Sequence, residues 1–185
     1  MPESTATQPI TANDGQKKTL AVKEVIGDIF AAPPNSVLIH ACNCYGNWGA
    51  GIAGAFRQHY PNAHKKHEDF CKSGSNGMAQ VGTAQLIPPL DEPKKHYVGN
   101  LFTSGGYGRR NDTPDMILSN TGPAMVDLLR QIADVKKNGG EVAELRICKI
   151  NSGLFGVPWE KSLEVLQNIE LEPDMPTEVT VYERA

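Results

Sequence analysis

Two glycine-rich segments carry the residue types best suited to hold an anion. They are Ala41-Cys42-Asn43-Cys44-Tyr45-Gly46-Asn47-Trp48-Gly49-Ala50-Gly51-Ile52-Ala53 and Asn151-Ser152-Gly153-Leu154-Phe155-Gly156-Val157-Pro158-Trp159. Each follows an apolar run that reads as a buried strand and opens a run that reads as a helix. A strand, a glycine turn and a helix N-terminus leave backbone N–H groups unpaired at the positive end of the helix dipole. One such turn is an ordinary way to join a strand to a helix, whereas two in one small domain suit a ligand with two linked phosphates. Neither segment contains G-x-x-x-x-G-K-[ST], and Gly46, Gly49 and Gly51 do not follow G-x-G-x-x-G. Kinase and dinucleotide-dehydrogenase chemistry therefore lack their residues.

Several other side chains have chemistry of their own. His40 stands three residues before Asn43 and has the near-neutral pKa that a general base needs. Its place inside an apolar strand suits a hydrogen-bonded structural histidine equally well. Cys42 and Cys44 form a C-x-C pair, but a tetrahedral metal needs two further ligands at recognisable spacing. None follows, and His64 and His67 fall on a helix expected to be exposed, so buried thiols are the expectation and no metal or cofactor is called for. The loop Ser104 to Asp112 offers Arg109, Arg110 and Asp112 either as phosphate donors and an acid or as a solvated turn.

The elements that position these residues alternate along the chain. Residues 1–18, rich in Pro, Thr, Ser, Asn and Lys, read as a flexible tail ahead of one domain over 19–185. Strands are expected at Thr19–Ile26, Ser36–Cys42, Ala84–Ile87, Tyr97–Thr103, Glu144–Ile150 and Thr177–Glu183. Helices are expected at Ile52–Tyr60, Ala63–Cys71, Trp159–Asn168 and from Thr113-Pro114-Asp115 to Lys137. Gly122-Pro123 is expected to kink or split that last helix. Alternating strands and helices imply an α/β domain with helices on both faces of a mixed, largely parallel sheet, whose ligands bind at the carboxyl ends of the strands.

Length and composition set further bounds. At 185 residues the chain suits a single domain burying about 70% of its unfolded surface. The net charge of −3 argues against a general nucleic-acid binder, so a nucleotide must be held by local backbone groups. No long apolar run or signal-peptide pattern is present, and four scattered cysteines suit a cytosolic or nuclear protein. Ordinary composition leaves monomer as the expectation.

The order and spacing of three motifs sharpen this reading. Gly27-Asp28-Ile29 after the first strand, the run His40 to Ala53 and the run Ile150 to Trp159 together resemble the macrodomain family, over about residues 19–184. Among macrodomains the chain is most similar to fungal ADP-ribose 1″-phosphate phosphatases. The resemblance implies a three-layer αβα fold that binds ADP-ribose and removes the terminal phosphate from the distal ribose of ADP-ribose 1″-phosphate. It also implies roles residue by residue. Asp28 would accept the adenine amine, beside Gly27 and the backbone N–H of Ile29, or would simply be a turn residue. Ala41 and Cys42 lead into Gly49, Ala50, Gly51, Ile52 and Ala53, which would wrap one face of the diphosphate. Asn151, Ser152, Gly153, Leu154, Phe155, Gly156 and Val157 would close over the other, with Phe155 packed on the distal ribose.

Asn43 would bond the distal ribose hydroxyls and share catalysis with His40, or would cap the strand. Trp48, where many macrodomains have histidine, would shield the ribose–phosphate end. Two other functions fit the same loops: lysine-independent removal of ADP-ribose from modified proteins, and non-catalytic ADP-ribose reading. The covalent-lysine chemistry of a related subgroup lacks its residues, because Thr103-Ser104 and Phe155 stand in those places.

Overall fold

The run Val37-Leu38-Ile39-His40-Ala41-Cys42-Asn43 shows no polar alternation, the pattern of a strand covered on both faces. A computed structural model describes residues 17–185, and in it this run is a central strand. The elements are β1 (Ala21–Ile26), β2 (Val37–Asn43), α1 (Gly51–His59), α2 (Pro61–Lys72), β3 (Ala84–Ile87), β4 (Tyr97–Ser104), α3 (Pro114–Lys137), β5 (Leu145–Ile147), α4 (Trp159–Gln167) and β6 (Glu178–Glu183). The sheet runs β1-β6-β5-β2-β4-β3, and every pairing is parallel except β3 with β4. This is the mixed, largely parallel sheet expected.

Successive residues of β2 point to opposite helical layers. His40 stacks on Phe56 of α1, with ring centroids 4.0 Å apart. Ile39 faces α3, where Leu128 packs so closely on Gly99 of β4 that an added Cβ would stand 2.9 Å from its Cδ2. Helices α1 and α2 thus pair on one face, and α3 and α4 on the other, which completes three layers. The core follows the sheet: Val37, Leu38, Ile39, Val98, Leu101 and Phe102 are wholly buried.

Four expectations about the elements change. Helix α3 runs unbroken through Gly122-Pro123. Proline costs a helix interior about 3 kcal/mol. The buried stripe Ile117, Ala124, Met125, Leu128, Leu129 and Ile132 outweighs that at about 1.5–3 kcal/mol per large side chain. Strand β5 is shorter than expected, because the Ile150 N–H turns back to the Cys148 carbonyl at 2.8 Å and opens the second glycine loop. His64 and His67 are buried rather than exposed: with Ala63 and Cys71 they form the inner stripe of α2. Of the expected tail, residues 1–16 lie outside the described residues. Lys17 and Lys18 are tied down, by an ion pair to Glu170 at 2.9 Å and a Leu171 N–H donating to the Lys18 carbonyl at 2.8 Å.

Candidate functional site

Strands β2 and β5 are neighbours, so the loops leaving their carboxyl ends face each other across a groove of about 460 Å³. That volume suits a small organic ligand. The first loop is shaped by its own side chains. Asn43 Nδ2 donates to the Asn47 carbonyl at 2.9 Å, and Asn43 Oδ1 accepts the Tyr45 N–H at 2.9 Å. Gly51 then opens α1 at φ +60°, a conformation in which glycine is unstrained, and nothing lies within 4 Å of where its Cβ would be. The N–H groups of Gly51, Ile52 and Ala53 begin the helix and have no carbonyl behind them.

The second loop is fixed from beneath. Asn151, at φ +64° and buried, accepts from Thr103 Oγ1 at 2.8 Å and donates to Thr121 Oγ1 and Ser162 Oγ, each at 3.1 Å. Its carbonyl accepts the Val157 N–H at 2.8 Å, and Gly156 N–H closes the turn onto Gly153 at 3.0 Å. Inside that ring, the N–H groups of Ser152, Gly153, Leu154 and Phe155 donate to nothing among the described residues. Two sets of free N–H groups thus border one groove, one of them at a helix N-terminus. That arrangement binds anions without a basic cluster.

The expected site residues divide. Ala41, Cys42, Asn43, Gly49, Ala50, Gly51, Ile52, Ala53, Asn151, Gly153, Leu154 and Phe155 all line the groove. Ser152, Gly156 and Val157 are not part of its lining and brace the loop, Ser152 Oγ donating to the Lys149 carbonyl at 2.6 Å. Gly27, Asp28 and Ile29 lie outside the groove lining, at the corner after β1. There Asp28 Oδ1 accepts the Phe30 N–H at 2.9 Å as a turn residue does, and Ile29 is buried.

Two assignments are corrected by burial. His40 is wholly enclosed beneath the groove, its Nε2 bonded to Asn100 Oδ1 at 2.8 Å. Burial, with the neighbouring His67, lowers its pKa from 6.5 to about 3, so it stays neutral and touches no solvent. It is a structural histidine and not the general base. Trp48 is equally enclosed, stacked against His67 with centroids 5.0 Å apart, so its ring fills the core and does not shield a ribose. Cys42 Sγ lies 3.5 Å from His40 Nε2, and burial holds its pKa well above the ordinary value. The pair is a neutral thiol beside a neutral imidazole, without nucleophilic character.

These groups belong to one buried network. Asn100 Nδ2 donates to Gln85 Oε1 at 3.3 Å and lies 3.3 Å from His67 Nδ1, while burial lowers the His67 pKa to about 4. All four cysteines are free and buried.

Sequence reasoning missed Asn47, Tyr107, Gly108, Asn111, Cys148, Lys149 and Ile150, which also line the groove. For most of them no motif exists to be read; the 104–112 loop was singled out, but not its Asn111. That residue latches the loops, its Nδ2 donating to the Leu154 carbonyl at 2.9 Å. Its Oδ1 is buried without a partner among the described residues. Asp112 is held in place, its Oδ2 accepting the Gly105 N–H at 2.9 Å.

The family model described as Macro domain matches residues 39–166, a span that contains both loops. The chain belongs to the macrodomain family. A protein from Chaetomium globosum named ADP-ribose 1″-phosphate phosphatase is 42% identical, covering 90% of this chain and 97% of its own. One of the same name from Aspergillus oryzae is 40% identical, covering 82% and 90%. The macrodomain of Mycobacterium tuberculosis DarG superposes with a TM-score of 0.65 at 23% identity, covering 90% of this chain and 99% of that one. A macrodomain from Oceanobacillus iheyensis, solved as a variant with ADPR, gives 0.67 at 19% identity, covering 87% and 83%. The two structures show that the macrodomain fold is shared.

Proposed function

We propose that this macrodomain binds ADP-ribose 1″-phosphate in the groove between the two loops and hydrolyses its terminal phosphate, releasing ADP-ribose and phosphate. The observation that carries the reading is the facing pair of unpaired N–H sets at the ends of β2 and β5. They supply donors for both sides of a diphosphate with little need for side-chain charge. The names of the fungal relatives at 40–42% identity support the same substrate.

Phosphoryl transfer asks mainly for positioning and for donors to the equatorial oxygens. Loop N–H groups are held rigidly for that task and need no reorganisation. With His40 enclosed, the acid–base group of this reading is Asp112, next to the groove-lining Asn111. Its Oδ2 is anchored on Gly105, while Oδ1 makes no hydrogen bond among the described residues. Water attacks phosphorus and the P–O bond to the ribose breaks, while Asp112 takes a proton from the water and passes it to the departing ribose oxygen. Four free, buried thiols suit the reducing cytosol or nucleus, where the protein would act as a monomer.

A second reading, non-catalytic ADP-ribose binding, is favoured by one observation: the groove lining holds no carboxylate and no imidazole. One experiment separates the two. Purified protein is incubated with ADP-ribose 1″-phosphate and, in parallel, with a glutamate-ADP-ribosylated protein, and released phosphate and ADP-ribose are measured. Phosphate from the first, abolished in Asp112→Asn with ADP-ribose binding intact, is the expected result. Tight binding with neither product means a reader, and ADP-ribose from the second alone means a protein de-ADP-ribosylase.

A further inference from the structure

Among the described residues that line the groove, Lys149 is the single charged one. It stands just past the end of β5, and its Nζ lies 2.7 Å from Glu183 Oε2 at the end of β6. Strand register explains the pair: Ile147 is opposite Val181 in the parallel β5–β6 ladder, so the residues two further along stand side by side on one face. Both backbones are pinned. Ser152 Oγ holds the Lys149 carbonyl, and the Gly27 N–H donates to the Glu183 carbonyl at 2.9 Å. The ion pair therefore sits between the second glycine loop and the corner that carries Asp28. Lys149 also lines the neighbouring hollow of about 180 Å³, together with Glu24 and Glu183. The residue thus borders both the groove and a hollow that holds two carboxylates.

We propose that Lys149 is a ligand-binding cation that exchanges Glu183 for the diphosphate of the bound nucleotide, so that Glu183 tunes affinity by competing for it. The inference rests on the ADP-ribose reading above and adds a residue that decides for charged ligands over neutral nucleosides. The exchange is cheap because the Lys149 and Glu183 side chains are 33% and 53% exposed, and water screens such a pair strongly. A diphosphate brings two negative charges into a groove already lined by N–H dipoles, so its attraction for the ammonium exceeds that of one half-hydrated carboxylate. The four-carbon stem lets Nζ swing while the pinned backbone stays still.

The test is calorimetric titration of full-length wild type, Lys149→Met, Glu183→Gln and the double variant with ADP-ribose, at low and at physiological salt, with adenosine as the uncharged comparison. Lys149→Met is expected to weaken ADP-ribose binding about 5- to 20-fold and to flatten its salt dependence, with adenosine unaffected. Glu183→Gln is expected to tighten ADP-ribose binding about two- to fivefold, and that gain should vanish once Lys149 is methionine. Unchanged binding in Lys149→Met overturns the proposal. So does equal tightening by Glu183→Gln with and without Lys149, which would reflect a general field rather than a partner exchange. Glu183→Gln alone still decides if Lys149→Met does not fold, since no tightening there overturns the competition. A wild type that binds no ADP-ribose overturns the functional reading itself, a result distinct from either failure.

Discussion

The groove and the polar cluster just beneath it are built on opposite principles. Above, two glycine-rich loops with unpaired main-chain N–H groups line the groove together with apolar, aromatic and amide side chains, and Lys149 is the one charged residue of the described lining. Below, His40, Asn100, His67 and Gln85 form a polar cluster with two imidazoles, in which all but Gln85 are wholly buried. Their hydrogen bonds to one another tie β2, β3, β4 and α2 together, while His67 Nε2 is left without a partner among the described residues. The plain loops keep unspent donors at the surface. On the proposed function, binding capacity resides in the backbone of the loops, and the side chains beneath them serve architecture.

That contrast is breakable by substitution. Asn100→Leu removes the hub of the buried network, taking the amide partner of His40 Nε2 and leaving Gln85 Oε1 only His67 Nδ1, at an expected cost of about 3–4 kcal/mol in urea unfolding. ADP-ribose affinity of the folded fraction should stay within about twofold, and a large loss of affinity with little loss of stability would invert the contrast. Gly51→Val works the other way. It puts a branched side chain at φ +60° and into the space reserved for the ligand, and is expected to weaken ADP-ribose binding about 100-fold while lowering stability by about 1–3 kcal/mol.

The pH dependence sharpens the same point. His40 and His67 titrate near 3 and near 4 in the folded chain, against 6.5 when unfolded. Their folded values are depressed, so the unfolded chain binds more protons. Stability is therefore complete above pH 6.5 and falls as pH drops below it, by at most about 2–3 kcal/mol per pH unit between roughly pH 6 and pH 4. Chemical unfolding across that range measures the slope; a His40→Gln variant should roughly halve it, and an unchanged slope would remove His40 from the cluster. The smallest effect expected is for Trp48→Phe, about 1–2 kcal/mol of lost packing with ligand affinity unchanged. A weakened affinity there would return Trp48 to the site.

Much of the molecule was legible in the sequence, for reasons that also explain the failures. Strand–helix alternation and the uniformly apolar β2 announced the sheet, and the glycine runs announced both loops. Pro123 misled because local cost is read from one residue, whereas the compensating burial is spread along α3. His64 and His67 misled because charged neighbours on α2 mask a narrow inner stripe. His40 and Trp48 misled because a strand or loop position does not reveal which face of the sheet a side chain enters. Asn111 and Lys149 are set in the groove by a loop latch and by strand register, neither of which leaves a motif.

If the free loop N–H groups hold the ligand, the amide chemical shifts of ¹⁵N-labelled protein titrated with ADP-ribose will report it. Large, saturable shifts at Gly51, Ile52, Gly153, Leu154 and Phe155, with the His40 and Asn100 amides nearly still, are the predicted result. Saturable binding whose shifts bypass both loops would contradict it.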